Sequence, residues 1–385
     1  MYDCIVIGAG IAGAVCARKL AEEANKKVLV IERRNHIGGN CYDAPDEYGI
    51  LIHEYGPHIF HTGMEDVYEY LSRFTEWYAF GHEVVAKVGE TLIPVPFNLN
   101  TLHMVYEKEK ADRLEKKLVE TYGEGSRVPI MKLRENEDPD IREIAQYVYE
   151  NIFLKYTMKQ WGQKPEEIST EVTGRVPVLI SHDNRYFQDK YQGVPKDGFT
   201  PMFEHMLDHE NITVLLETEC KDRLELQENG ILFDGQPFEG DVVYTGALDE
   251  LFCCRFGRLP YRSLDFCFEH YDENSYQGHS VVNYTVSEKY TRITEFRFLT
   301  GQKDGEGTTI VKEYPFAYSG AKGEIPYYAI LNDENQALYE KYRALTAGIP
   351  KFHLLGRLAE YKYYNIDAMT KKAMELADHI MGQEG

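Results

Sequence analysis

The chain has 385 residues, 43% of them hydrophobic and 27% charged, with a formal net charge of −21; that length suits one large domain or two to three modest ones. The acidic balance disfavours nucleic acid and anionic membranes as partners, and no run of apolar residues is long enough to span a membrane. An anionic substrate would have to be held by a few local cations against the global field, a task that suits arginine forks.

Taken in chain order, residues 3–8 (DCIVIG) read as a strand, 11–24 (IAGAVCARKLAEEA) as a helix and 27–32 (KVLVIE) as a second strand, a βαβ start. An N-terminus that begins directly with a buried-strand pattern is not a signal peptide. From about 100 to 160 the pattern is helical. Residues 171–195 and 261–330 are rich in aromatic and β-branched side chains separated by turns, as in antiparallel strands. Near the end, KFHLLGR reads as a strand and DAMTKKAMELADHIM as a helix. There is no internal repeat and no low-complexity linker. The seven cysteines, Cys4, Cys16, Cys41, Cys220, Cys253, Cys254 and Cys267, are odd in number and lack C-x-x-C spacing. They read as reduced thiols of a cytoplasmic protein.

GAGIAG places Gly8, Gly10 and Gly13 as G-x-G-x-x-G between the first strand and the helix, and Glu32 closes the second strand. In that context the motif is a dinucleotide site. Gly8 permits the turn, Gly10 lets backbone approach a pyrophosphate, and Gly13 allows close helix–strand packing, while the helix N-terminus offers donors to the anion. Glu32 is placed to accept from ribose hydroxyls. The next segment, ERRNHIGGN, resembles the E-R-x-x-x-x-G-G signature of flavoproteins such as amine oxidases, and VVYTG at 242–246 resembles a strand-to-turn segment of the same proteins. The resemblance implies FAD. A helix starting near Asn365 would aim its dipole at the flavin.

Aromatic and arginine residues then gather in a few motifs. FLKYTMKQWG holds Phe153, Tyr156, Thr157 and Trp161; GRVPVLISHDNRYF holds Arg175, Tyr186 and Phe187; YTRITEF holds Arg292; EIPYYAIL holds Tyr327 and Tyr328; AEYKYYN holds Tyr361, Tyr363 and Tyr364. Any one of these tyrosines is better read as packing than as a ligand contact, but rings stack on bases and hydroxyls bond phosphate oxygens.

With NHIGGN, GPHIFHT, YTMKQWG, YQGVP, YRSL, YTRITE, KEYP, PYY and GRLAEYKYY in this order, the chain resembles the prokaryotic UDP-galactopyranose mutases over nearly its full length. The resemblance implies a redox-neutral isomerase that interconverts UDP-galactopyranose and UDP-galactofuranose with FAD that is active when reduced. N5 of the flavin would attack the anomeric carbon, UDP would leave, and the sugar would reclose as a five-membered ring. An external reductant and a homodimer are expected. Arg175, on a loop hinged at Gly174, and Arg292 would grip the diphosphate, and charge-assisted contacts to guanidinium suit a leaving diphosphate. Tyr156 would stack on uracil near Phe153, and Trp161 would lie beneath the galactose. Tyr186, Tyr328 and Tyr363 would bond phosphates, and Asn283 would add a polar contact. His82, Thr157 and Phe187 complete the expected substrate set. The expected cofactor set is Gly8, Gly10, Ala12, Gly13, Glu32, Arg33, Gly39, Asn40, His58, Ile59, Thr218, Glu219, Gly356, Arg357, Asn365 and Ile366.

The implied fold is α/β. A Rossmann-like FAD-binding domain is built from 1–75, 195–260 and 340–385. An α-helical domain (98–170) is inserted into it, as is an antiparallel β-sheet domain (76–97, 171–194 and 261–339). The chain departs from the family pattern at His82 (for Asn), Leu179 (for Arg), Phe296–Arg297 (for His-Lys) and Asn365 (for an acid), which bears on affinity and loop behaviour more than on reaction class. An FAD-dependent amine oxidase or desaturase and a non-catalytic nucleotide-sugar binder are the competing readings. The arginine and tyrosine set speaks against the first and the intact flavin motifs against the second. His58 and His61, three apart in GPHIFHT, lack the further ligands a metal site needs. In light of the resemblance, His58 and Ile59 offer backbone to the cofactor and His61 faces N5 as a catalytic residue.

Overall fold

The computed structural model describes residues 2–162, 177–228 and 230–382. Arg175 and its neighbour Gly174 lie outside the described residues.

The strands Cys4–Ile7 and Val28–Ile31 are buried at every position, as continuous apolar runs must be when both faces of a parallel sheet are covered. They lie at the centre of a five-stranded parallel sheet ordered Ile212–Leu215, Val28–Ile31, Cys4–Ile7, Asp241–Tyr244, Phe352–Leu354. The sequence reads the KFHLLGR strand, and it closes this sheet beside a strand more than a hundred residues earlier. On one face the helices Ile11–Glu23 and Ile366–Gly382 pack together through Ala14, Ala17, Ala373 and Ala377, whose small side chains let the two backbones close. Helix Phe199–Leu207 completes that face.

A seven-stranded sheet runs Tyr328–Ala329, Tyr261–Tyr271, Thr308–Ala317, Arg292–Glu295, Val281–Tyr284, Val84–Val88, Thr91–Val95. Its pairs are antiparallel except that of Val281–Tyr284 with Val84–Val88, which is parallel. These two strands come from segments far apart in the chain, so no hairpin dictates their direction. A small sheet sets Tyr191–Pro195 between Phe60–Thr62 and Trp77–Ala79.

The helical region comprises Leu99–Val105, Lys108–Tyr122, Ile130–Arg134, Pro139–Val148 and Leu154–Trp161. Asn98 caps the first with a reciprocal Thr101 box, and Asp138 caps the fourth, with Pro139 at its first position. The region is not uniformly helical. Arg127–Pro129 is a strand paired with Pro177–Leu179, and Tyr149–Phe153 forms a wider π turn before Leu154–Trp161. The π turn shifts the helical phase just ahead of Tyr156 and Trp161, and such turns recur at functional sites.

Candidate functional site

At the carboxyl ends of Cys4–Ile7 and Asp241–Tyr244, where helix Ile11–Glu23 begins, lies a cavity of about 880 Å3. Gly8, Gly10, Ala12, Glu32, Arg33, Gly39, Asn40, His58, Thr218, Glu219, Gly356, Arg357, Asn365 and Ile366 line it; of the expected cofactor set, Gly13 and Ile59 do not. Gly13 serves packing instead: a Cβ there would lie 1.9 Å from the Gly8 carbonyl oxygen. Gly10 and Gly39 face each other across the cavity wall, with a Cβ on Gly39 only 3.0 Å from Gly10 Cα. The helix has Gly10 at its N-cap, no side-chain cap and no acid in its first turn, so its leading N–H groups face the cavity without competition for an anion.

Glu32 is fixed from behind. The amides of Ala9 and Arg34 donate to its two oxygens, each at 2.9 Å, and the remaining lone pairs are open to further donors. Arg33 turns to Glu250, 3.1 Å away. Arg34, which the sequence reading passed over, donates to Asn40 Oδ1 at 2.9 Å and lies 4.4 Å over the Tyr55 ring, while its Nη1 is buried with no partner among the described residues. Thr245 was also missed; its hydroxyl donates to the Ile7 carbonyl at 2.7 Å at the cavity floor. Asn365 immediately precedes helix Ile366–Gly382.

His58 contributes a ring as well as a backbone. Its Nδ1 lies 2.9 Å from the Gly56 carbonyl, which can only accept, so the proton is on Nδ1; its own amide donates to His53 Nδ1 at 3.0 Å. Burial pulls both imidazoles down to about 3, so both are neutral in the physiological range.

Among the described residues, none of the expected substrate set lines this cavity. They form a second cluster joined to it through Arg357, whose guanidinium lies 4.3 Å over the Tyr363 ring. Tyr363 stacks near Tyr328 at 6.1 Å between centroids, and Tyr328 lies 5.7 Å from Trp161. At the centre is Arg292. Strand pairing sets Asn283 on one side of it and Glu313 on the other. Arg292 Nε lies 3.1 Å from Glu313 Oε2, an ion pair without hydrogen-bond alignment. Burial works against the guanidinium charge, but Glu313 first and then the Tyr156, Tyr328 and Tyr186 phenols outweigh it, and Arg292 titrates well above its usual range. Burial also raises the Glu313 carboxyl, against the pull of Arg292. The pair therefore keeps its cation fixed, and any change of charge within it falls on Glu313.

Tyr156 and Trp161 come from the helix after the π turn. Thr157 on that helix is buried, and Phe153 packs into the helical core beside Tyr149 rather than into the cluster. Tyr186 and Phe187 meet edge to face at 4.9 Å, and His82 lies 6.1 Å and 6.0 Å from their rings. Burial, then the Arg292 charge, pulls His82 down to about 3. The cluster is short of partners. His82 Nδ1, Asn283 Oδ1, Glu313 Oε1 and the Tyr327 hydroxyl are buried with no hydrogen bond among the described residues. Each such group costs about 1–3 kcal/mol, so several together mark a place that a polar ligand completes. Glu313 was not singled out from sequence as a site residue, and Tyr327 was named only as one of the gathered aromatics, without a role. KEYP contains Glu313, but only the pairing of its strand with Arg292–Glu295 reveals its role.

His61 sits at the Phe187 end of this cluster. Its ring lies flat on Phe187, centroids 3.6 Å apart at 11°, and its Nδ1 is 2.8 Å from Asp189 Oδ2. Among the described residues no group of three or more metal-ligating side chains converges.

Comparison with known proteins places the chain. A family model described as UDP-galactopyranose mutase matches residues 151–363, and one described as an NAD(P)-binding Rossmann-like domain matches residues 6–74. The chain is 36% identical over 387 residues to a UDP-galactopyranose mutase of Mycoplasma genitalium, covering 99% of this chain and 95% of that one. It is 35% identical over 379 residues to the dTDP-fucopyranose mutase of Escherichia coli, covering 98% of each. Its fold matches a crystal structure of reduced UDP-galactopyranose mutase with a TM-score of 0.73 at 16% identity, over 100% of this chain and 94% of that one. It also matches cyclohexylamine oxidase of Brevibacterium oxydans, with a TM-score of 0.58 at 15% identity over 99% of each.

Proposed function

The chain belongs to the UDP-galactopyranose mutase family, and from that premise we propose that it interconverts UDP-galactopyranose and UDP-galactofuranose with reduced FAD, without net redox change. The observation that carries this reading is the half-buried Arg292 cation, ringed by Tyr156, Tyr186, Tyr328 and His82 next to a dinucleotide-type cavity.

The cavity residues fit FAD. The Gly10–Gly39 wall admits a close backbone approach, the uncapped helix start suits a pyrophosphate, and Arg34 Nη1 is a buried donor in want of an acceptor. When bound and reduced, the flavin supplies the nucleophile at N5, so the protein needs none of its own. The protein's part is to hold and release the diphosphate. Glu313 braces the Arg292 guanidinium from its Nε side, which directs the two terminal nitrogens to the phosphates. Burial raises the Tyr156 and Tyr328 phenols, keeping both hydroxyls protonated as donors. Tyr186, Tyr328 and Tyr363 bond the phosphates, and Tyr156 stacks on the uracil. Trp161 lies beneath the sugar, while His82, Asn283, Thr157 and Phe187 complete the contacts. Arg175 is the proposed second diphosphate clamp.

The test is conversion of UDP-galactofuranose by anaerobic protein, oxidised or dithionite-reduced, followed by chromatography. The expected result is a yellow protein that forms UDP-galactopyranose only after reduction, with a sugar–flavin product trapped by borohydride. Equal turnover in both forms overturns the N5 role, and no conversion in either form overturns the mutase reading. The same assay with dTDP-fucopyranose, the sugar in the E. coli relative's name, sets specificity; a preference for it transfers the assignment to that substrate.

A further inference from the structure

The family resemblance implies that His61 faces the reacting centre, and the structure shows two groups that hold its ring. Phe187 lies flat on one face of the imidazole, and the Asp189 carboxylate meets Nδ1 at 2.8 Å. Both come from one turn. Strand Tyr191–Pro195 runs antiparallel to Phe60–Thr62 with Gln192 opposite His61. The Gln192 side-chain amide donates back to the Phe187 and Asp189 carbonyls at 3.0 Å and 2.9 Å. The turn is thus tied so that residues 187 and 189 both reach the same ring. The two contacts constrain different things: the stack fixes the plane of the imidazole, and the carboxylate, an acceptor when ionised, fixes which nitrogen carries the proton.

We propose that Asp189 is a positioning residue for His61, holding the Nδ1–H tautomer so that Nε2 is the ring atom offered to the reacting sugar. The inference rests on the proposed mutase function and on His61 standing at the reacting face. Ring contraction changes which oxygen closes the sugar. The hydroxyl that bonds to the anomeric carbon gives up a proton, and the ring oxygen released from that carbon takes one. Nε2, with its lone pair available, would take the proton that a reduced flavin N5–H sheds on bonding to the anomeric carbon and pass it to the ring oxygen as the ring opens; it would then take the proton of the closing hydroxyl and return it as N5 is freed, so the enzyme ends as it began. The opposite tautomer would present an N–H where a lone pair is needed.

Asp189→Asn tests this, because an amide can turn its NH2 toward Nδ1 and reverse the tautomer. The Asp189 side chain is 37% exposed, so the change leaves the core untouched. Ring-15N-histidine NMR, with the His61 signals assigned by their loss in His61→Gln, reads the tautomer without any turnover. The expected result is Nδ1–H in the wild type, and Nε2–H or a mixture in Asp189→Asn. Its kcat should fall by about tenfold or more with KM little changed, and Asp189→Glu should recover both tautomer and part of the rate. Retained Nδ1–H in Asp189→Asn, or turnover within twofold of wild type, overturns the inference. Wild-type turnover in His61→Gln also overturns it. A wild type that cannot convert UDP-galactofuranose at all instead overturns the proposed function, which separates the two failures.

Discussion

The glycine-lined cavity and the Arg292 cluster are built by opposite means. The cavity is made of backbone: Gly8, Gly10 and Gly39 remove side chains so that main-chain atoms and a helix N-terminus form the wall. The cluster is made of side chains that converge from the strands carrying Arg292, Asn283 and Glu313, from the helix carrying Tyr156, and from the turn carrying Phe187. A backbone site tolerates no added atoms, because its close approaches are fixed by secondary structure. A side-chain site tolerates them but depends on charge, orientation and unpaired polar groups. The two should therefore fail differently when altered.

Gly13→Ala should have the largest effect. The new methyl would sit 1.9 Å from the Gly8 carbonyl, inside van der Waals contact with backbone that two neighbouring strands hold in place. The expected loss is about 3 kcal/mol or more, with bound flavin lost at the same time, read by urea unfolding and by visible absorbance. Unchanged stability would show that helix Ile11–Glu23 can move away, and the contrast between rigid backbone and adaptable side chains would weaken.

Arg292→Lys is the reciprocal case. It keeps the positive charge beside Glu313 but loses the planar fork, so folding and the flavin spectrum should stay near wild type while turnover falls by about 100-fold. Activity within twofold of wild type would remove Arg292 from the diphosphate.

The same contrast decides what the sequence revealed. The cavity was legible because its code is local: a strand, three glycines at fixed spacing, a helix and an acid at the end of the next strand. Most of the residues expected there line the cavity, and Gly13 departs because it packs the turn behind the wall. The cluster's members could be proposed only through a family resemblance, and the groups acting on them were not seen. Glu313 reaches Arg292, and Asp189 reaches His61, only across strand pairings whose register no single segment encodes. The π turn at Tyr149–Phe153 was invisible for a related reason: YVYENIFLKY carries no glycine or proline to interrupt a helical pattern. The parallel joint between Val281–Tyr284 and Val84–Val88 is likewise a product of tertiary packing, not of a turn.

The smallest effect tests whether both regions share one electrostatic trait. His53 and His58 beside the cavity, and His82 in the cluster, are each lowered to about 3, first by burial. In the unfolded chain a histidine titrates near 6.5. Between about pH 6.5 and 3 the unfolded state therefore binds protons that the folded state refuses. The stability these neutral rings contribute is whole above about pH 6.5 and is lost as pH falls through that window. Each histidine should account for up to about 1.4 kcal/mol per pH unit, so His82→Gln should flatten the measured slope by one such share and leave the shares of His53 and His58. Urea unfolding at a series of pH values from 7.5 downwards reads it, and an unchanged slope would mean that His82 already carries its proton in the folded cluster. Arg292→Lys serves as the control. The Arg292 charge is the second cause of His82's shift after burial, and lysine preserves that charge, so turnover should collapse while the acid slope stays where it was.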